Sequence, residues 1–231
     1  MEETKNIKIK KDLSMKEVLD FIKDIIIILI IVFVIRTLFV LPFQINWQSM
    51  YDSYYDKEFI IVDRFSYIFL QEPKRWDVVV FRPHVSKERE YFLKRIIWMP
   101  WDKIKIEEGK VYIFSKSKNK YVEINEPYLM DSNINATFVS WDKIAYEYEV
   151  PKDSYFVMWD NRNHSTDSRS CFSSCYIPGK TNFIVKSDII WKVLVDLGYF
   201  SFSRFKFIHP SLWIDTFPKW FSTKSKSNYD I

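Results

Sequence analysis

Eleven consecutive apolar side chains at residues 25–35 constrain this chain more than any other feature of its sequence. The apolar character resumes at 38–41, so about 20 residues can span a bilayer. Arg36 interrupts them at a cost of about 2.5–3.5 kcal/mol near mid-bilayer, whereas each Ile, Leu, Val or Phe returns about 0.3–0.6 kcal/mol. A buried soluble helix and a removable signal peptide are the alternatives, but no small-x-small cleavage pattern follows. We expect one transmembrane α-helix over residues 17–42.

The charges that flank this segment predict its orientation. Six lysines lie within residues 5–23, and no Lys or Arg occurs in 41–55. Because the cytoplasmic flank of a membrane span carries the excess of Lys and Arg, we expect the basic segment 1–16 in the cytoplasm. The chain would then cross the cell membrane once, with residues 43–221 on the outer face and 222–231 as a polar tail.

Composition removes two classes of function. The chain has 34 Lys and Arg against 30 Asp and Glu, a net charge of +4 without a dense basic block, so nucleic acid is not an expected partner. Cys171 and Cys175 lie in a Ser-rich loop, and no second Cys/His pair completes a zinc site. A disulfide and two free thiols both remain open, and neither a metal nor a cofactor is expected.

Beyond residue 50 the chain consists of short β-branched and aromatic runs joined by short connections. These runs lie at 59–62, 77–81, 91–97, 103–106, 110–114, 145–150, 154–158 and 188–195. No long segment with a helical period competes with them. The pattern predicts an all-β domain of antiparallel sheets, in which the polar, irregular residues 115–142 form an insertion or a small subdomain.

Lys94 is unusual because it lies inside the apolar run 91–97. Strand alternation places Lys94 on the face of Phe92 and Ile96 and turns Arg95 the other way, so one of the two charges should be desolvated. Burial lowers the pKa of a lysine from its ordinary value near 10.4, which lets the amine take a proton from a serine hydroxyl. The alternative is a lysine at a strand edge that extends its amine to water.

Two further polar features could supply chemistry. Ser49 follows the predicted outer end of the helix, although a lone serine in a loop is usually only solvated. The ten polar residues 160–169 follow an apolar strand and could form a buried network that orients a catalytic lysine, although most such runs are solvated loops. His164 raises the alternative of a Ser-His-Asp triad with Ser49.

In order along the chain, these segments resemble the motif set of type I signal peptidases, over about residues 17–195. The helix followed by Ser49-Met50 resembles the nucleophile box, 75–81 the next strand motif, 91–102 the general-base box and 159–169 the last box. The resemblance implies an all-β catalytic domain docked on the outer face of the membrane. Its partners would be the lipid bilayer and the preproteins whose signal peptides it removes, by cleavage after small residues.

The resemblance also implies a role for individual residues. Ser49 would be the nucleophile and its backbone N–H an oxyanion donor, with Lys94 as the general base. Ser165 would orient the Lys94 amine, while Asp167 and Arg169 would hold the surrounding loop. Four residues fall where the family builds its small apolar pockets: Ile45, Met50, Phe92 and Leu93. The substrate would lie extended against a strand edge.

Two other functions remain compatible with parts of the pattern. One is a catalytically inactive, membrane-anchored relative that binds extended peptides. The other is a self-cleaving regulatory domain that uses the same Ser/Lys chemistry, but such proteins need a DNA-binding domain before the serine, where this chain has mostly the apolar segment and its basic flank.

Tryptophan replaces glycine at an unusual number of positions. The chain has 3 Gly and 9 Trp, whereas average usage predicts about 16 Gly. Six Trp stand where the family has or commonly has Gly: Trp47, Trp76, Trp98, Trp101, Trp159 and Trp191. We hypothesise that most of them are glycine in the natural protein, a reassigned codon having been translated as Trp. If instead the Trp are genuine, several turns and the site beside Ser49 are strained or crowded.

Overall fold

The structure, a computed structural model, describes most of the chain. The described residues are 14–38, 40–46, 50, 53–63, 65–84, 91–139, 146–163, 166–173, 177–208 and 219–220. The chain divides into two compact units, Met1–Phe39 and Val40–Ile231.

The described part of the first unit is the helix α1, at Met15–Leu38, and the residue before it, Ser14. Its start is fixed by a capping box, in which the Ser14 hydroxyl accepts a hydrogen bond from the Lys16 amide and the Glu17 carboxylate accepts one from the Ser14 amide. The side chains of 25–35 are all exposed.

The expected transmembrane helix over 17–42 differs from the structure in two respects. The helix ends at Leu38, and Val40 already begins a strand. Among the residues that the structure describes, no helix is both long enough and apolar enough to cross a membrane. Charges at Lys23, Asp24 and Arg36 limit the unbroken apolar run of α1 to eleven residues.

The second unit is built from thirteen described strands. In chain order they are β1 Val40–Gln44, β2 Phe59–Asp63, β3 Val78–Phe81, β4 Phe92–Trp98, β5 Lys103–Glu107, β6 Lys110–Ser115, β7 Lys120–Glu123, β8 Tyr146–Glu149, β9 Ser154–Met158, β10 Ile184–Val185, β11 Ile189–Ser201, β12 Lys206–Ile208 and β13 Lys219–Trp220. All their pairings are antiparallel. The prediction of an all-β domain of antiparallel sheets is therefore confirmed.

The strands form two sheets. The larger has the order β1-β2-β11-β3-β4-β9-β10, with β12 and β13 also paired to β11, and the smaller has the order β7-β6-β5-β8. Each of the eight predicted strands is present, with ends that shift by a few residues. Residues 115–142 were expected to be irregular; their described part, 115–139, contributes the last residue of β6, the strand β7 and one 3-10 turn at Asp131–Asn133.

Strand β3 shows why the larger sheet is stable. All four of its side chains are buried, because both faces of this central strand are covered. Val78 and Val80 pack with Ile60 on one side, while Val79 and Phe81 belong to a second apolar cluster. This double burial makes the interior of the sheet a site from which water is excluded.

Two of the anomalous tryptophans have a backbone conformation that suits glycine. Trp76 has a φ of +72° and Trp101 one of +71°, and each is followed by an aspartate in a turn. A side chain with a Cβ pays about 1–2 kcal/mol in this left-handed region. In addition, the buried indole N–H groups of Trp76, Trp98, Trp159 and Trp191 have no hydrogen-bond partner among the described residues. Both observations support the glycine hypothesis; Trp47 lies outside the described residues.

Position 101 gives a clean stability test because its side chain is 60% exposed, so little packing is lost on truncation. We expect Trp101→Gly to be about 1 kcal/mol more stable than Trp101→Ala, since only the glycine relieves the positive φ. Urea unfolding followed by tryptophan fluorescence measures the difference. Equal stability of the two variants would show that the backbone at 101 is unstrained.

Candidate active site

Lys94 lies on β4, in the interior of the larger sheet between β3 and β9. It stands opposite Val79 on β3, and it is only 1% exposed. The alternative of a lysine that extends its amine to water is therefore wrong, because the Lys94 side chain is buried. Arg95 is also buried, so the structure desolvates both charges rather than the one that was expected.

The surroundings of the Lys94 amine are mostly apolar. Nζ donates a hydrogen bond to the Leu93 carbonyl oxygen at 3.1 Å, and no described carboxylate accepts one from it. The amine lies 3.6 Å from the ring centroid of Trp159 and 4.9 Å from that of Phe92. Burial holds the pKa of Lys94 well below its ordinary value, and the negative charge of Asp167 offsets only part of this effect.

Arg95 has a different environment from its neighbour. Its Nε and Nη2 bind both carboxylate oxygens of Asp160, at 2.9 and 2.6 Å, and Nη1 donates to the Trp76 carbonyl oxygen at 3.1 Å. Burial acts to lower the pKa of Arg95, but the charge and hydrogen bonds of Asp160 outweigh it, so the guanidinium stays charged. The ion pair ties the start of the polar run 160–169 to the strand that carries Lys94.

Asp167 and Arg169 form the second ion pair of this run. Asp167 is fully buried, and its carboxylate accepts hydrogen bonds from the Arg169 guanidinium, the Arg169 amide and, at 3.3 Å, the Trp159 amide. Arg169 also donates to the carbonyl oxygens of Phe138 and Arg162, each at 3.0 Å. The pair thus ties both ends of the loop together beside Lys94.

A cavity of about 390 Å³ opens beside Lys94. Its lining comes from residues 43–46, from 91–94 and from Val80, Trp159 and Thr166. Three of the four predicted pocket residues, Ile45, Phe92 and Leu93, line it. Met50 does not; it is fully buried in the apolar cluster that contains Tyr54 and Val62.

The remaining predicted residues lie partly outside the described part of the chain. Ser49, Ser165 and His164 are not among the described residues, so the roles inferred for them stay predictions. Cys171 is disulfide-bonded, and the other cysteine of the sequence, Cys175, is outside the described residues.

Sequence reasoning missed several residues that line the cavity. Trp159 was noted as an anomaly and as the first residue of the last motif, and Tyr91 and Thr166 only as members of their motifs. Trp191 lies behind the cavity wall, where its ring stacks on Tyr91 at 5.4 Å between centroids and tilts against Phe43 at 6.1 Å. Such contacts join positions far apart in the chain, and no local pattern signals them.

Comparison with known proteins identifies the family of the chain. The family described as "Signal peptidase, peptidase S26" matches residues 18–194. Signal peptidase I of Bacillus amyloliquefaciens is 31% identical over 181 residues, covering 76% of this chain and 91% of its own. Signal peptidase I P of Bacillus subtilis subsp. natto is 33% identical over 162 residues, covering 70% and 83%.

Among solved structures, the crystal structure of a signal peptidase I from Enterococcus faecalis V583 matches 54% of this chain and 97% of its own, with 24% identity and a TM-score of 0.38. The family match extends over most of the chain and includes Lys94 and the loop 159–169. The chain therefore belongs to the signal peptidase family, peptidase S26, a family of serine endopeptidases.

Proposed function

We propose that this chain removes N-terminal signal peptides from exported preproteins, with Ser49 as nucleophile and Lys94 as general base. The observation that carries the proposal is the desolvated amine of Lys94 at the wall of an apolar cavity. Burial lowers the pKa of Lys94, which favours the neutral amine that a general base needs in order to accept a proton.

In the proposed reaction, the Ser49 hydroxyl oxygen attacks the carbonyl carbon of the scissile peptide bond while the neutral Lys94 amine takes the hydroxyl proton. The backbone N–H of Ser49 donates to the resulting oxyanion. The C–N bond then breaks, and the Lys94 ammonium protonates the departing amine. Water hydrolyses the acyl-enzyme, with Lys94 again accepting a proton. Ser165 orients the amine through both steps.

Cleavage after small residues agrees with the cavity lining. Ile45, Phe92 and Leu93 present apolar side chains to the cavity, which suits an apolar residue such as Ala on the substrate. The preprotein would lie extended along β1, whose described backbone pairs only with β2 and which forms one end of the larger sheet. Such an edge can bind main chain irrespective of side chains.

The proposed location is the cell membrane. The exposed apolar stretch of α1 and the lysines before it favour a helix held in a lipid bilayer with the N-terminus in the cytoplasm. The β-domain would then lie on the outer face, where exported preproteins emerge.

Substitution of Ser49 tests the proposal. With detergent-solubilised full-length protein and a purified preprotein, we expect Ser49→Ala to abolish cleavage because it removes the proposed nucleophilic hydroxyl. Ser53→Ala, four residues away, is the matched control and should cleave like the unaltered chain. Cleavage that persists in Ser49→Ala would overturn the assignment of the nucleophile.

One observation favours the inactive relative as a second candidate. The Trp159 ring lies 3.6 Å from the Lys94 amine, where it stabilises the charged form and occupies space beside the base. A chain that binds a signal peptide without cutting it, but cuts it after Trp159→Gly, would show that the indole blocks catalysis.

A further inference from the structure

Residues 126–138, here called the bracing segment, contact the catalytic loop 159–169 through three of the loop's side chains. Arg162 and Arg169 each donate hydrogen bonds to the segment, and Asn163 donates to the Ser132 carbonyl oxygen at 3.0 Å. No feature of the sequence pointed to this connection, because the bonded residues are far apart in the chain. Arg162 lies 36 residues from Glu126, whereas Asn163 and Arg169 each lie 31 residues from their partners, Ser132 and Phe138.

Arg162 is the centre of the connection. Its guanidinium is buried and bonds both oxygens of Glu126, as well as the Thr137 hydroxyl at 2.9 Å. The same side chain donates through Nε to the Trp159 carbonyl oxygen at 2.7 Å. One desolvated cation therefore joins the bracing segment to the residue that packs on Lys94.

Tyr128 links this cation to the one beside Lys94. Its hydroxyl donates to Glu126 and accepts a bond from Arg162 at 3.1 Å, while its ring lies 4.0 Å from the guanidinium carbon of Arg95. Burial raises the pKa of Tyr128, so the hydroxyl keeps its proton and remains a donor. The segment thus contacts Arg95, the neighbour of Lys94, as well as Arg162.

Arg169 also links the loop to the bracing segment. It binds the Phe138 carbonyl oxygen at the far end of the bracing segment, and its other contacts are to Asp167 and Arg162 within the loop. The bracing segment therefore holds the loop through two arginines, Arg162 and Arg169, which lie toward opposite ends of the loop. Buried charges in such a network tolerate little displacement, because each lost bond leaves an unpaired charge.

We propose that Glu126 and Thr137 are positioning residues, which fix the catalytic loop over Lys94 by holding the Arg162 guanidinium. This inference rests on the proposed function, since the loop matters only if Lys94 is the base. Neither residue reaches the cavity, so substrate binding should not depend on them.

The test compares turnover and binding in full-length variants. We expect Glu126→Gln to lower kcat by about 10-fold with KM changed less than 2-fold, because a displacement of about 1 Å at a catalytic group can cost up to about 100-fold. Thr137→Val should lower kcat in the same sense, and Thr137→Ser, which keeps the hydroxyl, should restore it. The control is Glu123→Gln on β7, which removes an exposed pair with Lys110 on β6.

Hydrogen exchange provides a readout that does not need activity. Amides of 159–163 and 166–169 should exchange faster in Glu126→Gln and Thr137→Val than in Glu123→Gln, while amides of β5 and β6 stay unchanged. If the unaltered chain cuts no preprotein, the proposed function fails and the exchange result alone decides the bracing role. An unchanged kcat, or equal loss of protection throughout the domain, would overturn the inference. If Glu126→Gln does not fold, the comparison of Thr137→Val with Thr137→Ser tests the inference instead.

Discussion

Lys94→Met is expected to lower the rate of preprotein cleavage by about 10⁴-fold, because it removes the general base and leaves an apolar side chain of similar length. The buried, mostly apolar surroundings of Lys94 suit methionine, so the fold should persist. Lys94→Arg should also be inactive, since a guanidinium does not release its proton in a protein. Lys105→Met, on β5 of the smaller sheet, is the control. Activity within about tenfold of the unaltered chain would exclude Lys94 as the base.

The pH dependence of kcat/KM gives the same prediction a second readout. The pKa of Lys94 lies below its unfolded value, so the neutral amine is present above that lowered pKa and is lost as the pH falls through it. The rate should therefore rise with pH, with a midpoint well below the ordinary lysine value near 10.4. Arg95 stays charged over this range, because burial, which lowers the pKa of its guanidinium, is outweighed by the charge and hydrogen bonds of Asp160. A midpoint near 10 would mean that Lys94 is solvated during catalysis.

Asp160→Asn is expected to lower the free energy of unfolding by about 3 kcal/mol, because it leaves the buried guanidinium of Arg95 without its counter-charge. Asp160 is 1% exposed and binds Arg95 through two hydrogen bonds. The contrast is Glu149→Gln, which breaks an exposed pair with Lys103 and should cost less than about 0.5 kcal/mol.

Urea unfolding followed by fluorescence distinguishes these two losses. The double variant Arg95→Met/Asp160→Leu should recover most of the stability that Asp160→Asn loses, since the penalty comes from the unpaired charge more than from the missing pair. A loss below 1 kcal/mol in Asp160→Asn would mean that water reaches Arg95. Failure of the double variant to recover would assign the effect to packing around Tyr128 and Trp76.

The sequence predicted those parts of the fold that depend on local patterns. Strand β9 has the predicted ends because five buried residues sit between polar turns, and Lys94 was found because a charge interrupts an apolar run. Strand β1 was missed because residues 40–42 continue the apolar character of α1. Strand β7 was missed because its sequence is polar, as expected on the outside of the smaller sheet.

The site was predicted less completely for a different reason. The motifs located Lys94, Asp167 and Arg169, each within a short segment. Pairing between distant segments has no local signature, so neither the ion pair of Arg95 with Asp160 nor the contact of Arg162 with Glu126 could be anticipated. In the sequence, Trp159 stood out as a tryptophan where the family commonly has glycine. Its position over the Lys94 amine became evident only from the fold.

The adjacent positions of Lys94 and Arg95 limit how the length of β4 can vary. Because successive side chains of a strand point to opposite faces, one residue inserted just before this pair would exchange their environments. The guanidinium would then face the cavity, and the amine would face Asp160, where an ion pair would hold its proton. Exposed residues 116–119 between β6 and β7 carry no such constraint. Length changes among relatives should therefore accumulate in turns such as this one and be absent from β4.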